Sequence, residues 1–237
     1  MDLGLEGKVA LVTAASKGLG RASAQALADD GAKVAINARD PDRLRATAAE
    51  LGGEVLALPA DVTDPDSPRR LVEATVERFG ALHILVGNAG GPPKGRAIDV
   101  DDATLQGAID ANLLTSVRLV RAALPHLRAA GGGRICLIAS SAVKQPIPDL
   151  SASNTARAGL WAWAKTAAQD LIDEGITLNL ICPGLHATDR VQELGYTGRM
   201  GDPADFGRVV AFLCSEPAGF ISGAALQVDG AGTLGLL

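Results

Sequence analysis

The chain of 237 residues is poor in aromatic residues and in cysteine. It has one tyrosine, Tyr196, and three cysteines, an odd number without the spacing of a metal site. Cys136 and Cys182 lie in short apolar runs, so their thiols are expected to be buried and unreactive. This usage of cysteine favours a reducing, cytoplasmic environment over secretion.

Concentrated charge and long apolar stretches are also missing. The formal net charge is -5, and no cluster of lysine and arginine stands out, which argues against nucleic acids and anionic membranes as partners. No apolar run reaches the roughly 18 residues that suggest a membrane-spanning helix. The first residues, with Asp2 and Glu6, do not resemble a signal peptide. We therefore expect one cytoplasmic domain over residues 1–237.

The chain does have many glycines and short apolar runs that alternate with segments of helical period. The runs that predict strands are 9–12, 33–37, 55–58, 84–86, 134–138, 177–181 and 225–228. The segments that predict helices are 19–30, 41–51, 67–79, 101–130, 153–174 and 203–214. Most strands are apolar throughout, as in a parallel sheet covered on both faces. The pattern predicts an α/β, Rossmann-type doubly wound parallel sheet of about seven strands in a single domain.

The turn after the first strand has the composition of a phosphate-binding loop. Its glycines let the backbone approach a pyrophosphate, and the following helix offers free N–H groups and the positive end of its dipole. The residues of this loop that are assigned to a cofactor are Thr13, Ala14, Ser16, Lys17, Gly18, Leu19 and Gly20. These glycines indicate a phosphate-binding loop because a predicted strand precedes them and a predicted helix follows them.

The loop resembles the Thr-Gly-x-x-x-Gly-x-Gly segment of the short-chain dehydrogenase/reductase family. Ala14 occupies the place of the first glycine, which requires a negative φ at that residue. Further matches follow in the family's order: Asp61 with Val62, Asn88 with Ala89 and Gly90, Asn112, Pro183 with Gly184 and Thr188, and the segment 227–230. The resemblance implies that Asp61 and Val62 contact the adenine and that Pro183, Gly184 and Thr188 hold the nicotinamide carboxamide.

The end of the second strand favours NADP(H) over NAD(H). Sites for NAD place a carboxylate there for the ribose 2′-hydroxyl, whereas sites for NADP leave room and a cation for the 2′-phosphate. Here Arg39 follows the strand, and Asp40 is expected to begin the next helix. Lys17 and Arg39 are predicted to converge on the 2′-phosphate, the alternative being that both are ordinary solvated charges.

The catalytic positions depart from the family pattern. Ser140 follows the fifth strand and takes the place of the catalytic serine, and Asn112 takes the place of the family's asparagine. The family's Tyr-x-x-x-Lys reads here as Ser153-x-x-x-Arg157. An aliphatic hydroxyl is a far weaker acid than a phenol of pKa about 10. Arginine does not deprotonate, so it cannot relay a proton.

Two side chains are candidate replacements for the missing acid. His186 lies between Gly184 and Thr188, where the nicotinamide is expected, unless it faces solvent. Tyr196 lies in the segment 185–201, a predicted substrate lid, and would reach the site if the lid closes. Arg157, together with Ser140 and Ser153, could anchor a carboxylate or phosphate, or it could bind ribose hydroxyls or pair with an acid.

Three functions remain open at this stage. The first is an NADP(H)-dependent oxidoreductase that acts on a small-molecule carbonyl or alcohol with an atypical proton donor. The second is a catalytically impaired dinucleotide-binding protein that acts as a sensor or partner subunit, and the third is a cofactor-free lyase-like or dehalogenase-like enzyme. The family resemblance implies a homo-oligomer, a tetramer or dimer, built on the helices 101–130 and 153–174. The sequence does not identify the substrate.

Overall fold

A computed structural model describes residues 2–193 and 195–235 of the chain. Its seven strands form one sheet in the order β3-β2-β1-β4-β5-β6-β7, and every neighbouring pair is parallel. The strands are β1 (Val9–Val12), β2 (Lys33–Ala38), β3 (Val55–Pro59), β4 (Ile84–Gly87), β5 (Gly133–Ile138), β6 (Ile176–Pro183) and β7 (Ala225–Val228). The predicted Rossmann-type doubly wound sheet is confirmed.

Helices cover both faces of the sheet. They are α1 (Gly18–Asp29), α2 (Pro41–Leu51), α3 (Ser67–Phe79), α4 (Asp102–Ile109), α5 (Thr115–Ala129), α6 (Ser151–Leu171), α7 (Asp189–Glu193) and α8 (Pro203–Leu213). Buried side chains of α1, α2 and α8 share one apolar cluster with the sheet, and those of α3, α5 and α6 share the other. The protein therefore has three layers, as right-handed crossovers between parallel strands require.

The central strands show why the apolar runs are unbroken. In β1, Ala10 and Val12 point into the cluster under α1 and α8, whereas Leu11 points into the cluster under α5 and α6. All four residues of β1 are buried. Because alternate side chains enter two different cores, both faces of the strand must be apolar.

The predicted helix over 101–130 is interrupted. A π-helical segment, Asp110–Leu114, joins α4 to α5, and the hydroxyl of Thr115 donates to the carbonyl of Asp110 at 3.0 Å. The wider turn places Asn112 inside the protein, where its residue is 2% exposed. Hydrophobic periodicity does not distinguish one wide turn within a long helix, so the prediction was wrong in this detail.

The predicted lid, residues 185–201, has more structure than its sequence indicates. Its ends are tied together by a β-bridge between His186 and Gly201, and α7 lies within it. The amide of Gly201 donates to the carbonyl of Leu185 at 2.9 Å. One residue of this segment, Leu194, lies outside the described residues. In the part of the chain that the structure describes, no helix is both long and apolar enough to cross a membrane.

Candidate functional site

The turns that follow β1 and β4 are bonded to each other. The hydroxyl of Thr13 donates to the carbonyl of Asn88 at 2.7 Å and accepts from the amide of Asn88 at 2.8 Å. The amide of Thr13 also donates to the carbonyl of Val86. The chain runs from β1 toward β2 at one edge of the sheet and from β4 toward β5 at the other edge, so the strand order reverses between β1 and β4. Doubly wound folds bind ligands in the crevice at this point, and the two turns border it.

The loop between β1 and α1 has a left-handed backbone at two residues, one of them unexpected. Gly18 has φ of +58°, which glycine adopts without strain, but Ala14 has φ of +48°. The expectation of a negative φ at Ala14 was therefore wrong. The loop has to turn sharply there, because the carbonyl of Ala14 faces Gly20, where a Cβ would lie 2.4 Å from that oxygen.

The amino end of α1 is left open. Lys17 precedes the helix in an extended conformation without a side-chain cap, and the first turn has no acidic residue. By contrast, the carboxylates of Asp40, Asp101 and Asp202 cap α2, α4 and α8. The first N–H groups of α1 and its positive dipole end are thus free for an anion. The loop fits a pyrophosphate, as its sequence predicts.

The edge beyond β2 and β3 carries the predicted adenosine contacts. Arg39 and Lys17 are exposed, and neither is ion-paired within the described part of the chain. Hydrogen bonds from the amide and hydroxyl of Thr63 lower the pKa of Asp61, and the charge of Arg39 lowers it further. Val62 is buried beside it. Asp40 caps α2, as expected, so its carboxylate is engaged.

The end of β6 approaches both β7 and the loop of β1. Pro183 ends the strand, and the amide of Gly184 donates to the carbonyl of Val228 at 3.0 Å. Thr188 lies close to Gly18 on the other side of the crevice. If Gly18 carried a Cβ atom, that atom would be 3.6 Å from the methyl carbon of Thr188. The structure therefore brings Thr188 to the phosphate loop, although the two are distant in sequence.

The loop after β4, which contains Asn88, Ala89 and Gly90, is fastened to the start of α6. Gly95 donates its amide to the carbonyl of Asp149 at 2.7 Å, and its own carbonyl accepts from the amide and hydroxyl of Ser151. These bonds fix the first turn of α6, on which Ser153 lies.

Ser140 lies just after β5, and Ser153 and Arg157 lie on α6, which packs against the turn that follows Ser140. Ser140 precedes a short 3₁₀ turn, and its hydroxyl accepts from the amide of Ala142 at 3.1 Å. Arg157 lies one turn after Ser153, and its Nη1 donates to the carbonyl of Ile138 at 3.1 Å, two residues before Ser140. This contact joins the strand that carries Ser140 to the helix that carries Ser153.

Asn112 lies in the π-helical segment, which contacts α6. Its Nδ2 is 3.4 Å from the carbonyl of Ala108, and its Oδ1 is buried without a partner among the described residues. Ala108, Ala152 and Ala156 form a small apolar cluster between α4 and α6. Small side chains allow the two helices to approach closely, so the π-helical segment lies beside the start of α6.

Arg157 is buried, and none of the described acidic residues is ion-paired with it. Burial lowers its pKa to about 10, and the positive charge of Arg190 contributes to the shift. Arg190 lies in α7, and its Nη2 would be 3.1 Å from a Cβ on Gly91. Arg190 was not among the predicted site residues. Its one available signal is a cation two residues after Thr188, at the start of the predicted lid.

The two candidate acids, His186 and Tyr196, differ in their burial and in the residues that they contact. His186 does not face solvent: it is 3% exposed, and its ring packs edge-on against Phe206 of α8 with centroids 5.1 Å apart. That packing turns the imidazole toward the layer of α1 and α8, whereas Ser153 and Arg157 belong to the opposite layer. Tyr196 is 41% exposed, and the ammonium of Lys94 lies 5.6 Å from its ring centroid, so the lid touches the loop after β4.

Comparisons with known proteins agree with this geometry. The family model described as enoyl-(acyl carrier protein) reductase matches residues 13–233. Dehydrogenase/reductase SDR family member 4 of Sus scrofa is 33% identical over 95% of this chain and 87% of its own. The 3-oxoacyl-(acyl-carrier-protein) reductase of Escherichia coli strain K12 is 34% identical over 96% and 98%.

Solved structures give the same result. L-sorbose reductase from Gluconobacter frateurii, determined in complex with NADPH and L-sorbose, superposes with a TM-score of 0.93. It is 34% identical and covers 100% of both chains. Sequence, fold and the crevice between β1 and β4 together show that the chain belongs to the short-chain dehydrogenase/reductase family.

Proposed function

We propose that the protein is an NADP(H)-dependent oxidoreductase that interconverts a carbonyl compound and its alcohol by hydride transfer. The observation that carries this proposal is the uncapped amino end of α1, which faces the crevice between β1 and β4 behind a glycine loop. Such an end supplies several N–H donors and a partial positive charge to a pyrophosphate.

Relatives support the same reaction class. The similar protein of Escherichia coli is a 3-oxoacyl reductase, and the sorbose reductase of Gluconobacter frateurii was determined with NADPH. We assign the same cofactor and reaction class to this chain because its phosphate loop, the turn after β4 and the segment after β6 follow the family's order of motifs.

The preference for NADP(H) rests on the charges beyond β2. Lys17 and Arg39 are exposed and form no ion pair with any described residue, so both are available to the 2′-phosphate. No carboxylate ends β2 to bind a ribose 2′-hydroxyl. Asp40, the nearest acid in sequence, is held by the amides of Asp42 and Arg43. A guanidinium binds phosphate with two parallel hydrogen bonds, so Arg39 favours the phosphorylated cofactor.

The residues at the end of β5 and on α6 position the substrate. When bound, the reduced nicotinamide supplies the hydride to the carbonyl carbon, and the carbonyl oxygen takes up one proton. Ser140 and Ser153 offer hydroxyl groups to that oxygen, and Asn112 orders water behind them. Ser153 replaces the phenol of the family pattern, so the proton comes from an atypical donor. Tyr196 and water are the candidates, because His186 packs toward α8.

The absence of a phenol at residue 153 also favours an alternative. A general acid contributes about 10²–10⁴-fold to the rate of a reaction. Without one, the chain would be a catalytically impaired dinucleotide-binding protein of the same fold, acting as a sensor or partner subunit. The two functions share the cofactor site and differ only in turnover.

The first test is a titration of the protein with NADPH and with NADH, followed by nicotinamide fluorescence. We expect micromolar binding of NADPH, clearly tighter than that of NADH. Arg39→Ala should weaken NADPH binding about 10-fold and leave NADH unchanged, because one charge-assisted contact is worth roughly 1.5–3 kcal/mol. Arg45→Ala, which removes a cation from the exposed face of α2, is the matched control.

The outcomes separate the proposals. If neither nucleotide binds, the cofactor assignment is wrong. If NADPH binds and is oxidised by members of a panel of aldehydes and ketones, the oxidoreductase is supported. If NADPH binds tightly and no member of the panel is reduced, the sensor or partner subunit is the better description.

A further inference from the structure

Arg157 brings a positive charge into the protein, and no described residue supplies a counter-ion to it. The residue is 8% exposed. Over residues 2–193 and 195–235, no carboxylate lies within 4.0 Å of its guanidinium. The pKa of Arg157 is lowered by burial and by the positive charge of Arg190, and no carboxylate is among the groups that shift it. With a pKa of about 10, the guanidinium remains a cation at neutral pH.

Most of the donors of this guanidinium are unused. Of its five N–H groups, one is bonded within the described protein, from Nη1 to the carbonyl of Ile138. Some side-chain polar atoms are fully buried and lack a hydrogen-bond partner, but no nitrogen of Arg157 is one of them. The other nitrogens therefore keep a small exposed surface through which a ligand atom can reach them. The bond to Ile138 places the guanidinium at the carboxyl end of β5, two residues before Ser140.

Other charges around this space are positive as well. Arg190 approaches from α7, and Lys144 follows Ser140 with its ammonium 5.2 Å from the ring centroid of Trp161. The carboxylate of Asp229, at the end of β7, accepts from the amides of Ala231 and Thr233. The carboxylate is thus held within its own turn, and among the described residues it forms no ion pair with Arg157.

A buried cation without a partner costs several kcal/mol in folding free energy, because desolvation of the charge is not repaid. Such groups cluster at sites where a ligand supplies the missing charge. Ser153 lies one helical turn from Arg157 on the same side of α6, so an anion on the guanidinium would lie next to the hydroxyl groups assigned to the substrate oxygen.

We propose that Arg157 binds a carboxylate of the substrate, so that the protein acts on oxo acids and hydroxy acids rather than on neutral carbonyl compounds. This inference rests on the proposed function. The carboxylate takes a two-bond contact on the guanidinium, while Ser140 and Ser153 hold the reacting oxygen.

The location and the charge favour a substrate carboxylate over other anions. The phosphates of the cofactor are assigned to α1, Lys17 and Arg39, which lie on the other side of β4. Of the three cations, Arg190 is exposed to solvent and Lys144 is partly exposed, so only the charge of Arg157 is buried. A monoanion neutralises that charge, whereas a phosphate dianion would bring a second charge into a buried space.

The test compares an acid with its own ester. The protein is saturated with NADP⁺, which prevents reduction, and titrated by calorimetry with 2-oxobutanoate, with its methyl ester and with dihydroxyacetone phosphate. We expect the acid to bind at least 10-fold more tightly than the ester, since a charge-assisted contact is worth about 1.5–3 kcal/mol. Equal binding of acid and ester, or tighter binding of the phosphate, would overturn the proposal.

Variants assign the effect to the guanidinium. Arg157→Gln should abolish the advantage of the acid over the ester, and Arg157→Lys, which keeps the charge but not the planar fork, should retain part of it. Arg69→Gln, on the exposed face of α3, is the control. An acid preference that survives in Arg157→Gln contradicts the inference. If that variant does not fold, the wild-type comparison and Arg157→Lys still decide.

The design separates this inference from the proposed function. Failure to bind NADPH removes the oxidoreductase, yet a carboxylate that binds the cofactor-free protein through Arg157 would still support an anion site. A protein that binds NADPH and reduces neutral ketones as efficiently as oxo acids keeps the proposed function and loses the carboxylate.

Discussion

Ala14 adopts a left-handed backbone conformation at the point where β1 turns into the phosphate loop. For a residue with a Cβ, this conformation costs roughly 1–2 kcal/mol, because the Cβ crowds the following carbonyl. The strain is held by neighbours: the carbonyl of Ala14 accepts from the side chain of Asn88 at 3.3 Å and packs against Gly20. Tertiary contacts thus override the local preference of alanine.

Ala14→Gly should stabilise the protein. Relief of strain exceeds the extra entropy of glycine in the unfolded chain, about 0.4–1 kcal/mol, so the free energy of unfolding should rise by roughly 0.5–1 kcal/mol. For a chain of this length, that is a rise in Tm of about 1–4 °C. Differential scanning calorimetry at fixed protein concentration measures it. Ala97→Gly, at an exposed residue without positive φ, should lower Tm instead; a similar fall for Ala14→Gly would refute the role of strain.

Residue-level expectations succeeded where the relevant partner is near in sequence. The position of Asp40 before Pro41 identified it as the cap of α2, since a cap bonds to amides two or three residues later. His186 was misjudged because its partner, Phe206, is 20 residues away and reaches it only through the packing of α8. The sequence around His186 holds no sign of that contact.

Two helices on one face of the sheet, α1 and α8, approach each other unusually closely. A Cβ at Gly207 of α8 would lie 2.2 Å from the carbonyl oxygen of Ala22 in α1, a backbone atom that cannot move alone. The close packing holds α1, and with it the phosphate loop, against α8 and the base of the lid.

Gly207→Ala should therefore destabilise the protein, by about 1–3 kcal/mol, because the added methyl group forces the helices apart. Gly107→Ala makes the same change in α4, where a Cβ would meet nothing within 4 Å. There alanine should gain roughly 0.5–1 kcal/mol from its helix propensity. Urea unfolding of both variants measures the difference. Equal effects of the two substitutions would show that the approach of α1 and α8 is not limiting.

At the level of elements, apolar runs and helix caps predicted the strands and most helices within a few residues. The π-helical segment and α7 were not predicted. A single π turn has no residue pattern that distinguishes it within a helical period, and α7 is too short to show a period.

The whole molecule is expected to be a homo-oligomer, a dimer or tetramer, with α4, α5 and α6 in the contact. On α6, Ala158 and Ala162 are exposed and lie one turn apart, so small side chains form part of its outer face. A face of this kind allows close approach of a second copy.

Ala162→Arg should disrupt the assembly. A long charged side chain at the centre of a helix contact introduces steric overlap and an unpaired cation, and we expect at least a 10-fold weaker association. Size-exclusion chromatography with light scattering follows the mass as a function of concentration. Ala49→Arg, on the exposed face of α2, should leave the mass unchanged. A wild-type protein with the mass of one chain would disprove the oligomer.

The fold class followed from the sequence alone, and the sequence predicts a phosphate loop, the order of the cofactor segments, and Ser153 and Arg157 in place of the family's tyrosine and lysine. These features depend on local pattern and spacing along the chain. The strain at Ala14, the burial of His186 and the approach of Arg190 to the buried Arg157 became evident only in the folded structure. Burial and charge pairing depend on residues that are distant in sequence and meet only when the sheet and its two helical layers are assembled.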